Sequence, residues 1–395
     1  MTYFVGIDIA KYKHDCFIMD ENGEVFKEPF SFDNDVIGFN TLLNVLNSID
    51  SKHEKRIGFE STGHYGSNLK LFLERNGYSF QEYNPLLLNR HFKSETLRRC
   101  KTDKVDCQMI SKYLFEKRDT YKPNPNSYYH LECLKSLCRL RTSLVDERSL
   151  QLVRITNVMD KMFPELKAFF GKQGFRASTA LYILENYSCP SKISNMTKAS
   201  YDKMKSELRR TIAYSKFVKI KEAAKSTIGN EDEILVFELK LYLELFKELN
   251  TKIQDIESKI LTEFSEMKCH ISSIIGIGDI TAAGILSEIG DFSRFSNPNQ
   301  VLAYAGLEPS RSDSGTVTDS SGKMVKHGSP HLRRYLMTTA GNILAFNPVL
   351  YDYYLKKRNE GKSHTVALSH VAKRLVRIIF YLEKNDTDFN IEKMR

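Results

Sequence analysis

Residues 2–28 read TYFVGIDIAKYKHDCFIMDENGEVFKE. Tyr3–Ile9 is a short apolar run interrupted by Asp8, the pattern of a strand buried on both faces. His14–Met19 and Glu24–Glu28 flank Asn22-Gly23, a dipeptide that accepts the left-handed backbone of a tight hairpin. Three antiparallel strands therefore open the chain. Downstream, Ile37, Phe39, Leu42, Leu43, Val45, Leu46 and Ile49 form a helical stripe within Asp35–Ile49. A strand at Arg56–Phe59 delivers Glu60 into Ser61-Thr62-Gly63, and a helix (Tyr65–Arg75) and a strand (Tyr78–Tyr83) follow. The order βββ-α-β-α-β-α is that of a ribonuclease-H-like sheet, one of several α/β arrangements with this period.

At 395 residues, with 41% apolar and 27% charged residues, the chain is globular and too long for one ordinary domain. Lys+Arg number 58 and Asp+Glu 49, a net +9 that favours a polyanionic partner, nucleic acid first. No run of about 18 apolar residues occurs, so neither a signal peptide nor a membrane span is expected. The scattered cysteines, without a CxxC, read as reduced cytosolic thiols.

The two-proline polar run at Asp119–His130 is the clearest linker, and three parts are expected. The first, 1–118, is the α/β domain. The second, 130–268, has two long helices of coiled-coil type around a basic, mostly helical insert at 165–230. One helix carries Leu134, Leu137, Leu144, Ile155, Val158 and Met162 and stops at Phe163-Pro164; the other runs through Leu235, Leu239, Tyr242, Phe246, Leu249, Ile253, Ile256, Ile260 and Phe264. The pattern fits an intramolecular hairpin and a pairing of protomers equally. The third part, 271–385, is mostly helical. It opens on a helix-hairpin-helix-like segment whose Gly276 and Gly278 would admit a phosphate to backbone N–H groups, unless they merely join two helices. A Gly/Ser-rich exposed loop or irregular hairpin at Glu308–Pro330 and two helices, His331–Phe346 and Thr365–Leu382, complete it.

Four acids in the first part could converge. Asp8 lies on the first strand and Glu60 at the end of the fourth; Asp103 and Asp106, spaced i,i+3, share one face at a helix start. Such a cluster needs a counter-charge to stay ionised, and one or two Mg²⁺ ions would supply it and serve phosphodiester displacement. Taken singly, Asp103 is also a good N-cap, Asp106 an ordinary first-turn acid and Glu60 a partner for a surface lysine. Charges on otherwise buried strands are costly unless used, which favours the joint reading. Lys93, Arg98, Arg99, Lys101 and Lys104 lie around the acids, suited to a phosphate backbone or to a solvated face.

GIDIAK (Gly6–Lys11), ESTGHY (Glu60–Tyr65), KTDKVDC (Lys101–Cys107), IGIGDITAAGILSEIGD (Ile275–Asp291), FSNPNQVLAYAGLEPS (Phe295–Ser310) and HLRR (His331–Arg334) occur in this order. Together they resemble the DEDD transposases of the insertion-sequence-110 family, relatives of the Piv-type DNA invertases. The resemblance covers almost the whole chain; the insert at 165–230 is the part it does not match. It implies a RuvC-like first domain whose metal tetrad is Asp8, Glu60, Asp103 and Asp106, and a second domain bearing a serine needed for strand cleavage. Counting back from HLRR selects Ser314, with Ser310, Ser312, Ser320 and Ser321 nearby. It further implies Mg²⁺-assisted attack by that serine on DNA and a phosphoserine–DNA intermediate that conserves bond energy for rejoining. Double-stranded DNA at element ends and target, an element-encoded guide RNA and a homo-oligomer (dimer or tetramer) are the implied partners. Arg333-Arg334 and Lys373-Arg374 are candidate backbone contacts, and the expected setting is a bacterial or archaeal cytoplasm, on the nucleoid.

Three other readings compete. A RuvC-like metal-dependent nuclease or junction resolvase would hydrolyse without covalent attachment. A domesticated nucleic-acid-binding protein would carry an idle site, against which the intact acids speak. An actin-like or sugar-kinase-like ATPase shares the opening strand but would need a second phosphate loop, and none is evident.

Overall fold

The computed structural model describes residues 1–61, 63–95, 103–123, 128–308, 313–314, 317–318 and 324–392; at 86, 95, 103, 128–130, 313–314 and 317–318 the backbone alone is described. The chain divides into two compact units, Met1–Cys133 with Ile289–Tyr304, and Leu134–Glu288 with Ala305–Arg395.

The first unit is built on a five-stranded mixed sheet. Strands β1 (Thr2–Ile9), β2 (Lys13–Asp20) and β3 (Val25–Asp33) are antiparallel, as the hairpin signal requires, while β4 (Glu54–Glu60) and β5 (Phe80–Tyr83) run parallel to β1 in the order β3-β2-β1-β4-β5. Gly23 adopts φ +84° in the first turn, and the Asp20 carboxylate accepts from the N–H groups of Asn22 and Glu24 at 2.9 Å each. Between β3 and β4 runs α1 (Val36–Ser48), N-capped by Asp35, which accepts from Gly38 N at 2.7 Å. A 3₁₀ turn at Gly63–Gly66 leads into α2 (Ser67–Arg75), and α3 (Pro85–Glu95) and α4 (Asp103–Glu116) follow β5.

The period of two in β1 sorts its residues between two cores. Val5, Ile7 and Ile9 join Ile57, Phe59, Leu42, Leu46, Leu69 and Leu73 on the α1 and α2 face. Phe4 joins Phe17, Tyr83, Leu88, Cys107, Ile110 and Leu114 on the face covered by α3 and α4. Both faces being covered explains why the strands are nearly continuous in apolar residues.

In the second unit α5 (Tyr128–Met162) ends just before Phe163-Pro164, as the proline demands. The basic insert is helical: α6 (Ser178–Asn186), α7 (Pro190–Ser194), α8 (Lys198–Glu207) and α9 (Tyr214–Lys225). It is followed by α10 (Glu233–Ser265), N-capped by Asp232. Arg141 pairs with Glu257 at 2.6 Å, Arg148 donates to Asn250 at 3.0 Å and Arg154 sits over the Tyr242 ring at 5.7 Å. These pairings run in opposite senses along the chain, so the two long helices form an antiparallel intramolecular pair. Leu239, Phe246, Ile253 and Ile260, seven apart, are buried along its seam.

The third stretch departs from its sequence pattern in two places. Before the glycine turn stands only a 3₁₀ turn, Ile271–Ser273, so the expected helix-hairpin-helix has a full helix on one side alone, α11 (Asp279–Ile289). Beyond α12 (Pro298–Ala305), the two-residue strands β6 (Asp313–Ser314) and β7 (Val317–Thr318) pair antiparallel. Then come α13 (Pro330–Asn342), α14 (Pro348–Asn359) and α15 (His364–Asn385). The sequence reading does not contain α14, because only Leu350 of that helix is buried and its apolar stripe is correspondingly weak.

Candidate active site

Two glycines open the place where the acids lie. A Cβ on Gly6 would stand 2.3 Å from the Cys107 carbonyl oxygen and 2.4 Å from Ser111 N, and one on Gly58 would stand 2.9 Å from Leu114 Cδ1. Gly6 and Gly58 face each other in the β1–β4 register, so the bare backbone of adjacent strands forms a trench in which α4 rests. Ser111 Oγ donates to the Phe4 carbonyl at 2.8 Å and fixes the helix along β1. The helix runs opposite to the strand: Ser111 lies over Phe4 and Cys107 over Gly6, which brings its first turn towards residue 8.

Asp8 and Glu60 follow Gly6 and Gly58 by two residues, so both carboxylates share the α4 face at the C-terminal ends of neighbouring parallel strands. Asp8, Glu60 and Asp106 are half-buried. Asp8 and Glu60 thus end neighbouring strands on the face along which α4 runs, with Asp106 in the first turn of that helix; the Asp103 backbone is the first residue of α4, and its side chain lies outside the described residues. Among the described residues no three His, Cys, Asp or Glu side chains are gathered closely enough to hold a metal ion. As donors the acids are hard oxygen ligands, the chemistry that Mg²⁺, Mn²⁺ or Ca²⁺ accepts.

The sequence reading missed a further acid. Asp15, 2% exposed, is paired directly with Asp8 across the β1–β2 ladder and accepts from Ser31 Oγ at 2.6 Å. The charge of this corner is visible at Cys107, whose thiol is pushed up to about 12 by burial and then by Asp15 and Asp8. The period of two was the available signal: Asp15 falls on the strand face shared with Phe17 and Met19.

Of the basic residues expected here, Lys104 is exposed on the first turn of α4 and Lys93 is exposed on α3; Arg98, Arg99 and Lys101 lie outside the described residues. Gly276 adopts φ +97° and a Cβ there would touch Ile343 Cγ1 and Phe346 Cβ at 3.1 Å, whereas Gly278 borders open space.

The serine stretch is anchored at its two ends. Ser314 is the second residue of β6, opposite Val317; its side chain, with residues 309–312, 315–316 and 319–323, is outside the described set, as are the alternative serines Ser310, Ser312, Ser320 and Ser321. At the base, Val325 N donates to the Glu308 carbonyl at 2.9 Å and Lys326 N to the Gly306 carbonyl at 3.3 Å. Glu288, with 1% of its side chain exposed, is gripped by Arg139 through Nε at 2.6 Å and Nη2 at 3.0 Å, and accepts from Ser329 Oγ at 2.9 Å. Burial alone would raise the Glu288 carboxyl; the Arg139 hydrogen bonds and charge, with Lys135 and Ser329, outweigh it and hold the group below the ordinary value. Ser329 also caps α13 by accepting from Leu332 N at 3.1 Å. Arg333 donates to the Ala305 carbonyl at 3.1 Å, and Arg334 forks onto Asp146 with two 2.5 Å contacts. Both guanidiniums of HLRR therefore have partners inside the protein.

Carboxylates at strand ends under a helix, in a basic chain, are the furniture of an enzyme acting on phosphodiesters. Comparison with known proteins names the class. Residues 5–164 match a DEDD transposase family model of the IS110 type, and residues 269–355 match the model described as transposase, IS116/IS110/IS902 family. The putative transposase of the IS117 mini-circle of Streptomyces coelicolor is 24% identical over 401 residues, covering 95% of this chain and 92% of its own. A 44.8 kDa protein of insertion element IS116 of Streptomyces clavuligerus is 25% identical over 389 residues, covering 95% and 93%. A 42 kDa protein of IS900 from Mycobacterium paratuberculosis is 24% identical, covering 71% and 70%. The chain belongs to the IS110 family of transposases. It is an enzyme that recombines DNA, and among its described residues no helix is long and apolar enough to cross a membrane.

Proposed function

We propose that the chain cuts and rejoins the DNA of an insertion sequence through a serine–DNA intermediate, with Asp8, Glu60, Asp103 and Asp106 holding one or two Mg²⁺ ions. The observation that carries this reading is the placing of Asp8 and Glu60 at the ends of neighbouring parallel strands under the first turn of α4, in a mixed sheet of order β3-β2-β1-β4-β5 that we read as ribonuclease-H-like and RuvC-like. When bound there, Mg²⁺ would supply the positive charge that lowers the cost of a crowded phosphate and favours an ionised hydroxyl. Asp8 and Glu60 offer their carboxylates from neighbouring strands, and in this reading the helix that Asp103 opens and Asp106 follows supplies the other two ligands. Ser314 Oγ forms a bond to the scissile phosphorus while the bond to a deoxyribose oxygen breaks, and the serine proton leaves with that oxygen. A hydroxyl of another strand then attacks the phosphoserine, the new phosphodiester forms and Ser314 regains its proton. Bond energy is conserved, so no nucleotide cofactor is consumed.

The three functional stretches are 1–118, 130–268 and 271–385. In this reading the antiparallel helices of the middle stretch serve assembly into a dimer or tetramer, so that serine and acids of different protomers can meet. An element-encoded RNA selects the target by base pairing, and Arg98, Arg99, Lys101 and Lys104 hold backbone phosphates beside the acids, with Gly276 and Gly278 as a further backbone contact. The protein acts on the nucleoid. The deciding experiment incubates protein, element-transcribed RNA, Mg²⁺ and end-labelled target DNA. A denaturation-resistant protein–DNA adduct is expected, absent in Ser314→Ala and in Asp8→Ala. Free cut ends with no adduct from the unaltered protein would instead establish hydrolysis, the metal-dependent nuclease or resolvase reading.

A further inference from the structure

We propose that the cavity beside the C-terminal half of α15 receives an unpaired nucleotide, its base against the Tyr381 ring and its phosphate on two arginines. The cavity measures about 590 Å³ and is lined by Tyr353 of α14, by Arg374, Arg377 and Tyr381 of α15, and by Asp388 and Phe389 beyond that helix. This volume lies within the range of small-ligand pockets, about 300–1,000 Å³. Residues 374, 377 and 381 are spaced by three and four and so share one helix face.

Each wall has a feature a nucleotide would use. The Arg374 guanidinium lies 4.9 Å from the Tyr353 ring centre and Lys357 Nζ 5.6 Å from it, so Tyr353 positions cations for a phosphate and leaves the base to Tyr381. Tyr381 is 61% exposed, a large aromatic left at the rim rather than in the core. Neither Arg374 nor Arg377 forms an ion pair among the described residues. Burial and then the neighbouring charge of Arg377 depress Lys373 on the same helix.

The acid in the wall is already engaged. Asp388 accepts from His270 Nδ1 at 2.8 Å, and Asp386 meets the other ring nitrogen at 2.8 Å. Phe389 N donates to Ser273 Oγ at 2.9 Å and Thr387 N to the Leu382 carbonyl at 3.1 Å, so the segment that walls the cavity is fixed before any ligand arrives. A simple anion would use the arginines and leave the exposed Tyr381 ring idle. A duplex keeps its base faces covered. An unpaired nucleotide offers a flat ring and an anionic phosphate together, the pairing that single-strand binders use.

The inference rests on the reading of the chain as a nucleic-acid enzyme and adds the place where an unpaired base sits. The test measures fluorescence anisotropy of the full chain with labelled oligothymidylate, oligouridylate, an abasic strand of equal length and a duplex. Preference for a base-bearing strand over the abasic one is expected, and the tighter of the DNA and RNA strands names the source. Tyr381→Ala and Arg377→Ala should weaken single-strand binding about 5- to 50-fold while duplex binding stays within about twofold. A 5-bromodeoxyuridine strand should photocrosslink to Tyr381 or Phe389. Equal binding of the abasic strand, or equal losses for single strand and duplex, would overturn the pocket and leave the transposase reading standing; failure to bind any nucleic acid would overturn both.

Discussion

The acid corner and the serine-bearing stretch are built by different forces. Around Asp8 and Glu60 the design is steric: glycines at 6 and 58 remove two side chains, α4 settles onto bare backbone, and Ser111 pins it. Where the serine stretch leads into α13 the design is ionic: Arg139 holds buried Glu288, Ser329 bridges from that acid to the α13 cap, and Arg334 holds Asp146. Further along the same unit, Asp386 and Asp388 clasp His270, and Glu383 accepts from His270 N at 2.7 Å. Carboxylates that face one another need a frame indifferent to charge, because their own repulsion changes with every proton or cation bound. The start of α13 carries no such cluster and can be anchored by ion pairs.

The largest effect should come from filling the trench. Gly6→Val places branched carbons where 2.3 Å already separates a Cβ from the Cys107 carbonyl, so α4 must lift from β1. A loss of about 4 kcal/mol or more in urea unfolding, with abolished strand cleavage, is expected. Wild-type stability in that variant would show the frame to be tolerant and the comparison wrong.

Next in size is Arg139→Ala, which leaves Glu288 buried without its cation. Arg139 keeps 42% of its side chain exposed while Glu288 keeps 1%, so the expected loss is about 2–3 kcal/mol, below the upper range for a fully buried pair. Hydrogen exchange should quicken at 325–334 and stay slow in β1 and β4. Equal quickening in both places would mean that the two regions share one source of order.

The smallest effect is a pH dependence confined to the ionic region. Hydrogen bonds to Asp388 and Asp386 hold His270 above its ordinary value. A group raised by folding contributes its full stabilisation below the unfolded value near 6.5, and that contribution fades as pH climbs through the folded value. Amide exchange at 270–273 and 386–389 should therefore accelerate between about pH 6 and pH 9, beyond the intrinsic rate, and His270→Gln should remove that dependence. No matching change is expected in β1 or β4.

Much of the frame was legible in residue patterns. Asn22-Gly23 announced the first hairpin and Pro164 the end of α5. The six motifs announced the family. The acids could be chosen as residue types because Asp8 and Glu60 interrupt apolar strands. Asp15 lies within the expected strand His14–Met19, but only the β1–β2 register shows that it is paired with Asp8. The HLRR arginines read as candidate phosphate contacts because charge is visible in a sequence; that Arg334 also pairs with Asp146, 188 positions away, is not. The helix-hairpin-helix reading took a glycine turn for a whole motif, when a single 3₁₀ turn precedes it.

By itself, the order of residues determined which segments are strands or helices, which ends are capped, and which side chains can ionise, because those properties depend on neighbours within a few positions. Only the tertiary structure decided that Gly6 lies beside Gly58, that α4 runs back along β1 towards Asp8, and that Asp15 is buried across from it. These are outcomes of strand register and helix packing. They bring together residues far apart in the chain, and no local pattern carries that distance.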